Sequence, residues 1–268
     1  MNNLNVDPEL FKTLIRRRMP SNESIFINQL YEDIDNIIQR MEGSSDKYYC
    51  DDEDKLSHTI VTSLGELGYS ASEQTKQNGS VDITVSPLEG DYKWIAEAKI
   101  GYGNTKIFEG ILQLVSRYVK RDKHAGLIIY FQKEKSSTCF NNWLKFLYNH
   151  EWVAYSTKQG NLDKVREMLG HLKSSEYKKI DTCYADIVIN KPSDELIMVR
   201  NFYADLHHDP VDKSGVKNKS IKKGQAKNSI RGYCHSWQDG TFDPQKTEDL
   251  FAALKIYLGG SFDPDDDD

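Results

Sequence analysis

The chain has 268 residues, of which 41 are acidic and 35 are lysine or arginine, for a net charge of −6. At roughly 100–200 residues per domain that allows one large domain or two modest ones, and the negative balance argues against bulk electrostatic binding to a polyanion. No apolar run approaches the ~20 residues of a membrane span, MNNLNVDPEL lacks the apolar stretch of a signal peptide, and Cys50, Cys139, Cys183 and Cys234 are too widely spaced for a zinc ribbon or a disulfide scaffold, so a soluble protein of the reducing cytoplasm, without a membrane partner, is expected.

Residues 8–43 read as helices. Phe11, Leu14 and Ile15 recur at helical spacing, and Arg16, Arg17 and Arg18 fall near the C-terminal end, where cations suit the helix dipole. Pro20 and Ser21 interrupt the pattern. Over 25–41, Ile27, Leu30, Tyr31, Ile34, Ile37 and Ile38 make an apolar stripe. A further helix over about 52–67 carries Leu56, Ile60, Leu64 and Leu67 on one face and stops at Gly68. Extended segments follow at 69–75, 80–86 and 92–100, with Pro87 and Gly90 turning between the last two.

The stretch 105–121 is expected to be one amphipathic helix. Ile107, Ile111, Leu114, Val115 and Tyr118 form its apolar face, and Glu109, Gln113, Ser116, Arg117 and Lys120 its polar face. Residues 125–131 read as a buried strand. Helices at 140–149 and 161–172, strands near 182–189 and 195–202, and a helix at 244–258 complete the series. Asp243-Pro244 supplies a cap and first position for that last helix. GTFDP at 240–244 returns as GSFDP at 260–264, too few copies for a repeat architecture.

Charge is unevenly spread. Lys213, Lys217, Lys219, Lys222, Lys223, Lys227 and Arg231 face a single acid, Asp212, over 211–231. The chain then turns acidic and ends in Asp265-Asp266-Asp267-Asp268. Such blocks read as solvated loops and tails. A mobile basic loop is expected here, with contact to a nucleic-acid backbone as the sharper alternative. His207-His208-Asp209 has no third ligand spaced near it in sequence, and a loop pair is expected.

The chemistry concentrates between Gly79 and Gly101. In a strand, alternation sends Val81, Ile83 and Val85 to one side and Asp82 and Thr84 to the other. It likewise groups Ile95, Glu97 and Lys99 opposite Trp94, Ala96, Ala98 and Ile100. Glu97 and Lys99 therefore lie about 7 Å apart on one side of the sheet. A carboxylate and an ammonium in an apolar strand are costly unless partnered. If Asp82 comes alongside Glu97, two carboxylates repel by about 4 kcal/mol at ~4 Å and an effective dielectric near 20. A divalent cation would relieve that repulsion, and oxygen ligands without Cys or His favour Mg²⁺ or Mn²⁺.

This arrangement resembles the PD-(D/E)xK nuclease superfamily, the restriction-endonuclease-like fold. The residues that carry the resemblance are Asp82, then Glu97-Ala98-Lys99, a preceding helix with acids and a following helix with Gln113-Leu114-Val115-Ser116-Arg117-Tyr118. It spans roughly 50–132. Val81 stands where the family's proline would be, and Tyr118 follows Gln113 by five positions where some members have four. Chance alone predicts about four acid-x-Lys tripeptides in a chain of this composition, and four occur, at Glu53, Asp91, Glu97 and Glu176. Only Glu97-x-Lys99 sits in an apolar alternating strand after an Asp-bearing strand and before an amphipathic helix.

The resemblance implies an α/β fold with a central mixed β-sheet flanked by helices. It divides the chain into an N-terminal helical segment (1–45), a nuclease core (46–205) and a C-terminal basic loop, helix and acidic tail (206–268). It implies Mg²⁺- or Mn²⁺-dependent phosphodiester hydrolysis, with Asp82, Glu97 and Glu53 as metal ligands. Asp82, Glu97, Lys99 and Gln113 are the implied catalytic set, with Lys99 near the attacking water. For Glu53 a first-turn acid serving the helix dipole is the alternative. Arg117, Lys120, Lys217, Lys219, Lys222 and Lys223 are candidates for nucleic-acid contact, and DNA is favoured over RNA. Such enzymes often act as restriction or anti-phage effectors. A homo-oligomer and a subunit of a defence complex both stay open, as does a nuclease-fold binding module without activity.

Overall fold

The computed structural model describes residues 8–76, 80–212, 215 and 217–259. Lys213, the second FDP segment at 260–264 and the Asp265–Asp268 tail lie outside the described residues.

Two helices open the chain, α1 (Pro8–Arg18) and α2 (Glu23–Glu42). Asn22 starts α2 by accepting from the Ile25 N–H at 2.9 Å, which satisfies one donor that a helix start leaves without an intrahelical partner. The stripe from Ile27 to Ile38 is buried as its spacing requires. Each such side chain contributes about 1.5–3 kcal/mol on leaving water. Helix α1 departs from expectation, because none of its residues is buried. Polar contacts hold it instead. The Arg17 guanidinium donates to both oxygens of Asp33 at 2.8 and 2.6 Å, and the Tyr69 hydroxyl donates to Asp33 at 2.7 Å.

The rest of the chain runs α3 (Glu53–Glu66), β1 (Ser70–Lys76), β2 (Ser80–Ser86), β3 (Trp94–Ile100) and α4 (Asn104–Gln113). Then come β4 (His124–Phe131), α5 (Ser136–Tyr148), α6 (Trp152–Gln159), α7 (Leu162–Leu169), β5 (Tyr184–Asn190) and β6 (Leu196–Asp205). Helices α8 (Lys219–Gln238) and α9 (Thr247–Leu258) follow. The strands form one mixed sheet in the order β1-β2-β3-β4-β6-β5. β3, β4 and β6 are parallel, and β1, β2 and β5 pair antiparallel at the two ends. The chain is thus an α/β protein with a mixed sheet between helices. No helix among the described residues is long and apolar enough to cross a membrane.

The sheet separates two apolar clusters. Trp94, Ala96, Ala98 and Ile100 pack toward α2 and α3. Ile95 packs on the other side, with Ile107, Phe108 and Ile111 of α4. Glu97 and Lys99 follow Ile95 at a period of two and so fall on the α4 side. β4 is buried on both faces, which is why its sequence is a continuous apolar run rather than an alternating one.

Three elements differ from the sequence expectation. The helix expected over 105–121 is α-helical only to Gln113 and closes through a π turn, Leu114–Tyr118. Helix α6 falls in a stretch read as a connection. The basic run, expected as a mobile loop, forms α8 from Lys219 onward. Asn218 caps α8, accepting from Ser220 N and Ile221 N at 2.9 and 3.3 Å. Only Gly224 and Ala226 of α8 are buried, so it has no broad apolar stripe for periodicity to detect. It docks through polar groups: Lys227 Nζ donates to the Cys50 carbonyl at 3.2 Å, and Arg231 donates to the carbonyls of Cys50 and Asp51 at 3.0 and 3.3 Å. Asp243, whose side chain accepts from Gln245 N at 3.0 Å, caps a 3₁₀ turn over Pro244–Lys246, and α9 begins after it at Thr247, three residues later than expected.

Candidate active site

Glu97 and Lys99 come from the central part of β3, Asp82 from the adjacent β2, and Glu53 from the first turn of α3. The β2–β3 ladder pairs Ile83 with Ala96. One step further along that antiparallel pair, Asp82 arrives beside Glu97 on the α4 side of the sheet. Asp82 Oδ2 accepts from the Ala98 N–H at 2.9 Å, which anchors the carboxylate to the backbone between the two charged residues of β3.

Asp52 is the cap of α3, accepting from Lys55 N at 3.0 Å. The dipole role is thereby filled by the neighbour, and Glu53 reaches the sheet. Its Oε2 accepts from the Ile100 N–H at 3.0 Å and its Oε1 from Lys99 Nζ at 3.1 Å.

Lys99 Nζ gathers the cluster. It donates to Glu97 Oε1 at 2.8 Å and to the Ala98 carbonyl at 2.6 Å, and it lies 3.4 Å from Asp82 Oδ2. Exposure divides the group. The Glu97 and Lys99 side chains are 3% and 7% exposed, whereas Asp82 and Glu53 keep 25% and 32%. Solvent therefore reaches the cluster past Asp82 and Glu53, with the Glu97–Lys99 pair at its back. Helix α4 closes that back at Gly110. A Cβ there would stand 3.1 Å from Lys99 Cγ and 3.3 Å from Glu97 Cγ, so the close approach relies on a residue without one.

The electrostatics follow from this packing. Burial pushes the Glu97 carboxyl up to about 7; Lys99 opposes the shift, and Asp82 and Glu53 add to it. Burial alone would lower Lys99, but the carboxylates of Glu53, Glu97 and Asp82 outweigh it and hold the ammonium above its ordinary range. Three carboxyl groups share one ammonium, so ionisation of Glu97 leaves the cluster negative.

The residues fit a hard divalent cation. Every donor is oxygen, which suits Mg²⁺ or Mn²⁺. Glu97 Oε2 is buried and has no hydrogen-bond partner among the described residues, an arrangement that costs free energy unless another group satisfies it. The oxygens of Glu53, Asp82 and Glu97 fan out around Lys99 and do not all approach within 4.8 Å of one another, because the ammonium stands between them.

The π turn brings in a residue that the sequence assigned to the apolar face. Val119 N donates to the Leu114 carbonyl at 3.3 Å, an i→i+5 bond. The turn absorbs one extra residue in the helix, so positions five apart stack as positions four apart do in an α-helix. Gln113 and Tyr118 stand in that relation. Tyr118 is 3% exposed. Burial first, and then the Glu97 and Asp82 carboxylates, push its phenol up, with Arg117 opposing. The five-residue Gln–Tyr spacing was the signal for it.

Gln113 itself is half-buried at the end of α4, and Arg117 is exposed in the π turn. Lys120 is exposed, with Nζ 3.4 Å from the Ser116 carbonyl. Lys217, Lys219, Lys222 and Lys223 are exposed at the start of α8. Lys223 Nζ lies 5.5 Å over the Tyr257 ring. His207 and Asp209, expected as part of a loop pair, come together with Glu134. Comparison of the chain with family models, with curated proteins and with solved structures gives no match.

Proposed function

We propose that the chain is a metal-dependent nuclease that hydrolyses phosphodiester bonds, built on a PD-(D/E)xK-type site. The observation that carries this reading is the Lys99 ammonium, held by Glu97, Glu53 and Asp82 at 2.8, 3.1 and 3.4 Å beside the unpartnered oxygen Glu97 Oε2. A structural ion pair needs one carboxylate. A second and third, both open to solvent, make a cluster that attracts a dication.

Asp82, Glu97 and Glu53 would hold Mg²⁺ or Mn²⁺, which when bound supplies Lewis acidity toward water and phosphoryl oxygen. The other roles fall to the chain itself. Ala98 N and Ile100 N fix the carboxylates of Asp82 and Glu53, so the ligand oxygens are placed before substrate arrives. Lys99 keeps its proton under three carboxylates and serves as a fixed positive charge that orients the attacking water and stabilises negative charge developing on the phosphoryl group. Tyr118 is buried, and its phenol is pushed up first by burial and then by the Glu97 carboxylate.

DNA is the substrate favoured over RNA, and a cytoplasmic restriction or anti-phage effector the biological setting; both rest on the family resemblance. The test is incubation of the purified chain with plasmid, linear DNA and RNA, each with Mg²⁺, Mn²⁺ or EDTA. Cleavage with either metal and none in EDTA is expected. Binding without cleavage under every condition would favour a non-catalytic nuclease-fold subunit instead.

A further inference from the structure

The carboxyl ends of β3, β4 and β6 open into a cleft of about 680 Å³ that α8 covers from the C-terminal side. Ligands of parallel sheets bind outside the carboxyl ends of the strands. Here the segments that leave those ends carry a second set of metal-ligating side chains. Glu134 follows β4, and His207 and Asp209 follow β6. Their ligand atoms lie within 4.8 Å of one another, although β4 and β6 belong to distant parts of the sequence. Ligands of one tetrahedral ion stand about 3.4 Å apart, so small side-chain rotations complete the group.

We propose that Glu134, His207 and Asp209 form a second cation site, for a borderline first-row dication such as Zn²⁺. An imidazole among carboxylates suits Zn²⁺ better than Mg²⁺ or Ca²⁺, which prefer oxygen alone. Neighbouring groups orient the ligands as metal sites require. Gln225 of α8 donates to Asp209 Oδ1 at 2.8 Å and to the His208 carbonyl at 3.2 Å. His207 Nδ1 lies 3.5 Å from the Gln132 carbonyl, a contact that leaves Nε2 to ligate. His208 is engaged elsewhere, packed on Tyr49 at 5.5 Å.

A second observation lies beside the same cleft. Gln132, 8% exposed, lines it. Its Nε2 donates to the carbonyls of Tyr48 and Asp51, both at 2.9 Å, which fixes the orientation of the amide. Its Oε1 is then buried with no partner among the described residues. An acceptor left in this way at the wall of the cleft is satisfied by a donor that enters there, such as a water carried by a bound ion.

The ion would clip the segment after β4 to the segment after β6. It would thereby hold α8 over Ile100, Gly101 and Tyr102, which continue directly from Lys99. This inference is independent of the nuclease reading, since none of its ligands belongs to the carboxylate cluster.

The test is calorimetric titration of the chelator-stripped full chain with Zn²⁺ in excess Mg²⁺, which occupies oxygen-only sites and competes poorly for imidazole. One Zn²⁺ per chain and a raised Tm are expected for the wild type and equally for the Asp82→Asn/Glu97→Gln protein. His207→Ala should weaken binding at least ~10-fold and abolish the visible absorption of the Co²⁺-loaded chain. Glu134→Gln and Asp209→Asn change exposed side chains and give the same readout should His207→Ala fail to fold. Zn²⁺ affinity unchanged in these variants, or no Zn²⁺ bound by the wild type, would overturn the proposal.

Discussion

Glu97 and Lys99 stand two positions apart on β3 and meet in a 2.8 Å ion pair from which water is almost excluded, the residues being 2% and 5% exposed. Removing two charges from water costs several kcal/mol per ion, and an apolar pair of the same volume is often as stable or more so. Stability alone does not account for the pair. Its surroundings supply a second use, because Asp82 and Glu53 bring two further carboxylates to the same ammonium from its solvent side.

Lys99→Met removes that ammonium and should abolish cleavage. Breaking a buried pair typically costs about 3–5 kcal/mol, because the remaining charge is stranded. Glu97 escapes this by taking a proton. Urea midpoints should therefore show a large loss at pH 8.5 and a smaller one at pH 5.5. Equal losses at both would mean that Glu97 does not carry the buried charge.

The wild-type chain should itself lose stability through this group as pH rises. The Glu97 carboxyl is raised from an ordinary 4.5 to about 7. The folded state binds that proton more tightly than the unfolded one, so the contribution is full below about pH 4.5 and is lost as pH approaches 7. A shift of that size corresponds to about 3 kcal/mol. Glu97→Gln should flatten this part of the stability–pH curve. A curve of unchanged shape would remove Glu97 as its cause.

At the proposed site Mg²⁺ would displace the same proton, so its binding would be linked to pH. The Tm rise at fixed Mg²⁺ should be small at pH 5.5 and larger at pH 8. It should vanish in the Asp82→Asn/Glu97→Gln protein. A rise that persists there would place the ion elsewhere.

How much of this was legible in the sequence depends on range. Alternation along WIAEAKI put Glu97 and Lys99 on one side of a strand, and an Asp-bearing strand before it supplied Asp82. Glu53 was harder, because Asp52, Glu53 and Asp54 are equivalent as first-turn acids until the cap is known; Asp52 takes it. Helix α8 was missed because polar contacts to Tyr49, Cys50 and Asp51 replace an apolar stripe. Glu134 could not be joined to His207 and Asp209 from spacing, since only the parallel pairing of β4 with β6 brings them together.

Helix α8 also bears on the site through Arg231. Its hydrogen bonds to the Cys50 and Asp51 carbonyls lie immediately before the cap of α3. Bonds to a charged donor are worth about 1.5–3 kcal/mol. Arg231→Ala should lower Tm modestly and reduce cleavage more than that loss explains, by loosening the segment that presents Glu53. Full cleavage with lowered Tm would leave Arg231 a purely structural residue.

Lys217, Lys219, Lys222 and Lys223, just before and within the first turns of α8, are exposed and have no acid among them. Each phosphate that they neutralise releases counterions, so affinity should fall steeply with salt. Changing Lys217, Lys219, Lys222 and Lys223 to Ala should weaken nucleic-acid binding similarly across sequences and flatten the salt slope by about 0.9 per lost duplex contact. Fluorescence anisotropy between about 50 and 200 mM salt measures both. An unchanged slope would redirect attention to Arg117 and Lys120.

Lys99 and the three carboxylates around its Nζ, those of Glu53, Asp82 and Glu97, are proposed to cleave phosphodiester bonds with a bound metal. Plasmid and linear DNA, and RNA in parallel, incubated with Mg²⁺ or Mn²⁺ and wild-type, Glu97→Gln or Lys99→Met protein, test it most directly. Circular dichroism confirms that each variant is folded. Cleavage by the wild type with metal, none in EDTA, and at least ~10²-fold less by either folded variant are expected, the scale for removing one charge-stabilising group. Metal-dependent cleavage at wild-type rate by folded Glu97→Gln would contradict that role.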